Sequence, residues 1–461
     1  MQVSIHRDGC LAALFYVAVR ELHQCYLARH HIYIVSRHPA DYTFHGGTPM
    51  TNIEATTSYE AMPVVTASGD LSDPLYSLLL QAVEERATDV HLDPVENGKM
   101  VRFRIDGVIY KKSVLAADEY QRVLTQVKVA SGFSIDKSFV PEEGTLIFEH
   151  KDQGRRHNIR ISITPAGHGR EAIHFRFLTG RSMLKDLGEL GMSTQHRQQV
   201  QTVLDSPTGI VLIAGITGSG KSSTMYSIAG ALDLDRHVGV SIEDPIETYI
   251  PGLRQIEVDY EHDLLMHKGL RALLRMDPDA VFVGEIRDKA SAVTTARAGI
   301  AGRLVVATLH APDPATVIEA MNHYEVPRYV TASGLRLIIS QHLLRRVCQE
   351  CAVERDLTEE DLDIFSKYDM TPPAKVLKAQ SCSKCRQYGY NGRIAVFELT
   401  TINNSLSQEI ARDAGKATLL RRFREEGGAA AIADALDKVK AGIVSMEDAR
   451  QLYLNTESWR I

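Results

Sequence analysis

The spacing of apolar residues changes along this chain, and each change marks a different kind of element. In "LSDPLYSLLLQAVEERATDVHLDP", Leu75, Leu78, Leu79 and Val83 recur at helical spacing. Asp73 precedes them as a helix cap, and Pro74 suits the first helical position. Then "DVHLDP", "MVRFRIDGVIYK", "GTLIFEH", "RHNIRISITPA" and "EAIHFRFL" alternate apolar with polar residues, as half-buried strands do. Together these residues predict an α+β unit ending near Leu178. "GRSMLKDLGELGMS" reads as a short connection carrying a helix. From about Gln195 the strand signal changes to unbroken apolar runs: "GIVLIAG", "VGVSIEDP", "AVFVGEI" and "RLVVATLH", separated by helical stretches. Strands buried on both faces read this way, which predicts a doubly wound parallel α/β sheet. A helical tail is expected from about Ser405 to Leu454. The first 65 or so residues, with "SRHPADYTFHGGTPMTNIEATTSYE", read as loop or linker.

Composition narrows the classes. The chain has 461 residues, 44% apolar and 24% charged, ordinary for folded protein and enough for about three domains. A formal net charge of −6 carries no cationic signature for nucleic acid. No run reaches the ~18 uninterrupted apolar residues of a membrane span. The nearest, "CLAALFYVAVRELHQCYL", is interrupted by Arg20 and Glu21. His6 and Arg7 precede it, but no small-residue cleavage site follows cleanly, so it reads as an amphipathic or buried helix. The expected compartment is the cytosol. There, paired CxxC spacing points to metal rather than to disulfides.

The chemistry begins with "GITGSGKSS", Gly215, Ile216, Thr217, Gly218, Ser219, Gly220, Lys221, Ser222 and Ser223, between the strand "IVLIA" and a helix. This fits G-x-x-x-x-G-K-[ST] in the context the motif requires. Glycines let amides turn inward around phosphates, and the helix N-terminus adds partial positive charge. Lys221 is expected at the β- and γ-phosphates of ATP, and the Ser222 hydroxyl on Mg²⁺. In "DPDAVFVGEIRD", Gly284 stands where the acid of a Walker B strand usually ends the run, and Glu285 follows, placed to orient or deprotonate the attacking water. "SIEDPIE" brings Glu243, Asp244 and Glu247 to the carboxyl end of another strand, where ligands bind in this fold. Glu243 and Glu247 are the candidates for Mg²⁺ or water, Asp244 being as well explained by a solvated turn. His310 ends "RLVVATLH" at a strand tip and is read as a γ-phosphate sensor.

Four of the six cysteines, Cys348, Cys351, Cys382 and Cys385, form C-x₂-C-x₃₀-C-x₂-C. Two such pairs supply the four thiolates of a closed structural Zn²⁺ site. Gly389 and Gly392 follow where a knuckle needs tight turns, and Cys10 and Cys25 read as ordinary cysteines.

With "TDVHLDP", "VRFRIDGVI", "GITGSGKSST", "SIEDPIE", "LRMDPDAVFVGEIRD", "TLHA" and "GYNGRIAVFEL" in this order, the chain resembles the ATPases of type II secretion and type IV pilus assembly from about Ser72 onward. The resemblance implies an α/β fold: a RecA-like P-loop NTPase domain after a smaller α+β (PAS-like) domain, with a zinc-binding insertion and a helical C-terminal tail. The boundaries read 1–69 (divergent segment), 70–180, 181–345, 346–400 (tetracysteine) and 401–461. It further implies a homohexameric ring that holds ATP between the two halves of each subunit. Arg104, Arg160 and Arg176 match the arginines that approach the phosphates. The implied partner is an inner-membrane platform protein, giving peripheral membrane attachment from the cytoplasm. The zinc insertion belongs to the assembly and secretion members and is missing from the retraction members. The N-terminal segment does not read as a full platform-docking domain.

Some positions depart from the family pattern. Arg303 stands where a second histidine is usual, and is expected to be able still to contact phosphate. Ile216, Ser222 and His342 replace the commoner Pro, Thr and Arg. Three other readings remain: a retraction, conjugative or effector-secretion motor; a nucleotide-binding scaffold; and a DNA-binding zinc protein. The acids of "ERDLTEEDLD" and the net charge weigh against the last.

Overall fold

The computed structural model describes residues 64–65, 73–96, 98–135, 140–150, 155–167, 170–178, 185–206 and 208–456. The expectations for residues 1–63, Cys10 and Cys25 among them, lie outside the described residues. The expected N-terminal helix is α1 (Pro74–Glu84), capped by Asp73, whose Oδ1 accepts from the amides of Leu75 (2.9 Å) and Tyr76 (3.2 Å). The strands are β1 (Val64–Val65), β2 (Ala87–Val95), β3 (Gly98–Ile105), β4 (Val108–Leu115), β5 (Glu142–His150), β6 (Arg155–Ala166) and β7 (Arg170–Leu178). They form one sheet in the order β1-β5-β6-β7-β2-β3-β4. Asp106 (φ 49°) and Gly107 (φ 89°) make the β3–β4 turn, since a two-residue hairpin of this twist needs positive φ at both positions. A second helix, α2 (Ala117–Ala130), buries Tyr120, Val123 and Val127 beside α1 against the sheet. Its Tyr120, Val123, Val127 spacing was available in the sequence, but the strand alternation around it drew the reading away.

In register, Asp89 lies between Arg104 and Arg176, and Arg176 lies opposite Arg160. Three arginines and one aspartate therefore form a row across four strands of this sheet.

The second sheet contains β8 (Gly209–Ala214), β9 (Gly239–Glu243), β10 (Arg254–Glu257), β11 (Ala280–Val283), β12 (Leu304–Leu309), β13 (Leu335–Val347) and, after a two-stranded ribbon of β14 (Val353–Arg355) and β15 (Val376–Lys378), β16 (Tyr390–Thr401). Its order is β10-β9-β11-β12-β8-β13-β16, parallel except for the last pair. Every residue of β8, β9, β11 and β12 is buried, as their unbroken apolar runs require. Helices α3 (Leu187–Leu190), α4 (Thr194–Leu204) and α5 (Lys221–Ala231) border one face. The other face packs α6 (Met266–Leu273), α7 (Lys289–Ile300), α8 (Pro314–His323), α9 (Arg328–Gly334), α11 (Asn404–Ala411) and α12 (Lys416–Glu425). Two further helices, α13 (Ala431–Lys440) and α14 (Met446–Thr456), close with α10 (Glu359–Lys367) over Ile394 and Val396 of β16.

The long β13–β16 hairpin was not anticipated. "GYNGRIAVFEL" is a strand of the second sheet, and the tetracysteine segment is inserted between the arms of that hairpin. α10 is fixed to α14 by a fully buried carboxylate: Asp361 accepts from Arg355 (2.7 Å), the Thr358 amide (3.0 Å) and Arg450 (2.6 Å). Burial alone raises its pKa, but these donors outweigh burial and bring it down to about 2.

A carboxyl depressed in the folded chain stabilises it above the unfolded pKa and loses that contribution as pH falls through the folded one. Asp361→Asn should therefore lower stability by about 2 kcal/mol at pH 7. The difference from the native chain should vanish between about pH 4 and pH 2, as read in thermal melts across that range.

Candidate active site and metal centre

β8 ends at Ala214, and the chain turns through Gly215 (φ 157°), Gly218 (φ 78°) and Gly220 (φ 89°) into α5. A Cβ at Gly215 would stand 2.3 Å from Ser219 Oγ and 2.6 Å from the Gln341 carbonyl oxygen, so the loop closes only with glycine there. Gln341, on the neighbouring β13, ties the loop down by donating to the Ser219 carbonyl (2.7 Å) and accepting from Thr224 (2.6 Å). Ile216 is exposed at the loop's tip.

Lys221 is 8% exposed. Its ammonium donates to the carbonyls of Gly215 (2.8 Å) and Ile216 (3.3 Å) and lies 3.2 Å from His310 Nδ1. Burial lowers its pKa, against a weaker upward pull from Glu285. His310 Nδ1 also lies 3.3 Å from the Gly215 carbonyl oxygen, so this edge of the ring meets both the ammonium and the loop, and Nε2 points the other way. That nitrogen faces Glu285 Oε1 at 2.5 Å. Arg287 takes the other Glu285 oxygen (2.5 Å) and Asp244 (2.9 Å). Lys221, His310, Glu285, Arg287 and Asp244 are thus one connected line across the carboxyl ends of β8, β12, β11 and β9.

At Gly284 a Cβ would lie 3.0 Å from the Glu243 Cα and 3.3 Å from the Ile242 carbonyl oxygen. A side chain there would press on the β9 backbone, and the acids near this strand end are Glu285 itself and those of the β9 segment, Glu243 and Glu247. Glu247 accepts from Ser222 Oγ (3.3 Å), so these two candidates are brought together. Burial raises Glu247, the Ser222 hydroxyl lowers it, Glu243 raises it and Arg176 lowers it. Glu243 is 2% exposed, and its oxygens take donors from Tyr226, Ser241 (2.6 Å) and Gln255 (3.0 Å). In this geometry Glu243 anchors Tyr226, whose hydroxyl in turn accepts from the Glu247 amide (3.1 Å).

The row of arginines divides by partner. Arg176 bonds Asp89 (3.0 Å), and its charge is felt at Glu247. Arg104 lies 3.8 Å from Asp89 and donates to the Gly107 carbonyl (2.9 Å). Arg160 pairs with the exposed Glu143 (2.9 Å). The expectation for Arg303 is corrected within the chain. It sits before β12, its carbonyl bonded to the Gly209 amide, while His310 follows the strand's other end. That separation is roughly 20 Å of strand. Sequence reasoning missed Tyr226, Gln341 and Arg287. Arg287 was legible, two residues beyond Glu285 on the same motif; Gln341 had no local signal, being brought in by sheet order.

At the metal centre the sulfurs of Cys348, Cys351, Cys382 and Cys385 all lie within 4.8 Å of one another. Measured pairs are 3.7 Å (Cys382–Cys385), 3.8 Å (Cys351–Cys385) and 4.0 Å (Cys348–Cys382). A tetrahedral Zn²⁺ at about 2.3 Å from each sulfur sets edges of about 3.8 Å, so the donor set fits. Burial raises the Cys385 thiol, but the amides of Cys382 and Gly389, each 3.2 Å from Sγ, prevail and bring it down to about 6. Gly389 (φ 79°) and Gly392 (φ 82°) take the left-handed conformations expected of them.

Residues 67–451 match the family model described as "Type II/IV secretion system protein". The "Type II secretion system ATPase E" of Vibrio cholerae is 31% identical over 376 residues, 82% of this chain and 74% of that protein. The "Type IV pilus assembly ATPase PilB" of Thermus thermophilus is 31% identical over 375 residues, 80% of this chain and 42% of that protein. The X-ray structure of the ATPase DotB of Legionella pneumophila superposes with a TM-score of 0.60 over 83% of this chain and 96% of that one. At 18% identity that likeness concerns the fold.

Two outcomes follow from this geometry. Gly284→Ala should cost about 1–3 kcal/mol of stability in denaturant titration, because the added methyl presses on the β9 backbone at Glu243. Metal analysis should find one zinc per chain in the native protein, and Cys382→Ser should lose it.

Proposed function

The chain belongs to the Type II/IV secretion system protein family, and from that premise we propose that it hydrolyses ATP to drive assembly of a type IV pilus or a type II secretion pseudopilus. The carrying observation is the contact line Lys221–His310–Glu285 beside the P-loop. Lys221 and the loop amides bind and neutralise phosphate. Ser222 and Glu247 would hold Mg²⁺, which draws charge from the β- and γ-oxygens when bound. Glu285, held by His310 on one oxygen and Arg287 on the other, orients water and takes its proton as the water oxygen bonds to the γ-phosphorus and the bond to the β,γ-bridging oxygen breaks, releasing ADP and phosphate. Glu243 acts here as the anchor of Tyr226, and Arg176 is the arginine that approaches from the other sheet, with Arg104 and Arg160 flanking it.

Assembly or secretion is preferred to retraction because the tetracysteine insertion is present, with sulfurs spaced for Zn²⁺. A homohexameric ring, an inner-membrane platform partner and peripheral attachment at the cytoplasmic face complete the reading. No helix among the described residues is long and apolar enough to cross a membrane. Nucleic acid is not an expected ligand, at a net charge of −6.

Turnover per chain is expected to rise with protein concentration as rings form. Glu285→Gln should bind Mg·ATP while losing about 10²–10⁴ in kcat. Tight binding with no turnover in either protein, with the membrane partner supplied, would instead make the chain a nucleotide-binding scaffold.

A further inference from the structure

Between β9 and β10 the chain runs through residues 244–250 without regular secondary structure, and this segment carries Glu247, the acid that accepts from Ser222 Oγ (3.3 Å). Backbone groups in such a segment need partners from elsewhere, and here side chains supply them. The Ile246 amide donates to Glu257 (2.9 Å), the Glu247 amide to the Tyr226 hydroxyl (3.1 Å) and the Ile250 amide to Gln255 Oε1 (2.7 Å). The Thr248 carbonyl accepts from Gln255 Nε2 (3.0 Å). Two elements therefore hold the segment: α5 through Tyr226, and β10 through Gln255 and Glu257.

Tyr226 and Gln255 converge on one carboxylate. Glu243 accepts from the Tyr226 hydroxyl on Oε2, and from Ser241 (2.6 Å) and Gln255 Nε2 (3.0 Å) on Oε1. Glu243 is 2% exposed and Tyr226 1%, so neither is open to solvent. Spacing on α5 adds a second constraint. Ser222 and Tyr226 are four residues apart and share one helix face. The first meets the Glu247 side chain and the second its backbone. Glu247 is thus held at two points on α5, and Glu243 fixes the tyrosine that makes one of them.

We propose that Tyr226 and Gln255 are positioning residues for Glu247: joined through Glu243, they frame residues 244–250, hold the Glu247 carboxylate at Ser222 and so set how firmly that pair holds Mg²⁺. This rests on the ATPase reading above and adds to it two residues that act only through Glu247. Removing a group that orients a metal-binding carboxylate costs about 10–100-fold in metal affinity. The frame does not contact the Lys221 ammonium, whose partners are the Gly215 and Ile216 carbonyls and His310, so metal-free nucleotide binding does not depend on it.

The test uses the full chain and the variants Tyr226→Phe, Gln255→Ala, Glu247→Gln and Tyr226→Phe/Glu247→Gln, each also followed by thermal melting. The affinity of a non-hydrolysable ATP analogue is measured by calorimetry in EDTA and over a range of free Mg²⁺. In Tyr226→Phe and in Gln255→Ala, the free Mg²⁺ that brings half of the gain in affinity is expected to rise by about 10-fold. Binding in EDTA should match the native chain. The double variant should stay within about 2-fold of Glu247→Gln alone, because Tyr226 acts through that carboxylate. An unchanged Mg²⁺ requirement in either single variant, an equal loss of binding in EDTA, or effects that multiply in the double variant would overturn the proposal. Amide exchange without nucleotide is the readout that needs no metal. Residues 244–250 should exchange faster in Tyr226→Phe and Gln255→Ala while α5 stays protected, and unchanged exchange there would overturn the frame even in a chain that hydrolyses ATP. If Tyr226→Phe does not fold, Gln255→Ala, on the outermost strand of the sheet, carries the same predictions. A native chain that binds no nucleotide would sink the ATPase reading, and the exchange result would then decide the frame.

Discussion

A buried ammonium whose partners within hydrogen-bond reach are two carbonyl oxygens and an imidazole nitrogen is the constraint on which this site depends. Taking a charge out of water costs several kcal/mol unless an opposite charge meets it, and no carboxylate among the described residues lies within ion-pair distance of Lys221. Glu285 contributes only at a distance, through His310. The protein therefore holds a positive charge at the mouth of a loop of inward-turned amides, beside a helix N-terminus. On the proposed reading, a phosphate chain would supply the missing charge. The remaining groups are set around that need: Gln341 pins the loop, His310 stands between Lys221 and Glu285, and Arg287 holds the other oxygen of Glu285.

Much of this was legible in the sequence, and the rest was hidden for physical reasons. Unbroken apolar runs identified β8, β9, β11 and β12, since a strand buried on both faces has no polar positions to alternate. The P-loop, Glu285, His310 and the four cysteines were readable because their spacing is local and their chemistry demanding. The pairing of β13 with β16 was not, because about forty residues of inserted chain separate the arms and both carry polar and basic residues over part of their length. Glu243 illustrates a different limit. Its position at a strand end was correct, but whether an acid faces solvent or a tyrosine depends on a partner, Tyr226, that lies on another element. Arg303 was placed by analogy with a motif position, and strand direction puts it at the opposite end of β12.

The insertion between β13 and β16 also bears on how the two sheets meet. Zinc at the four sulfurs would close the base of a hairpin whose outgoing arm carries Tyr388 and Asn391 to the N-terminal sheet, at Glu85 and Arg86. Structural metal sites do no chemistry, having no open coordination position. What this one can do is fix where β16 begins.

The most direct measurement of the central claim is the melting temperature of the native chain and of Lys221→Met, each with and without Mg·ATP. If the ammonium waits for phosphate, Lys221→Met without nucleotide should be at least as stable as the native chain, since an uncompensated buried charge has been removed. Mg·ATP should then raise the melting temperature of the native chain alone. A variant that is markedly less stable without nucleotide, or that ATP stabilises as much as the native chain, would contradict the account.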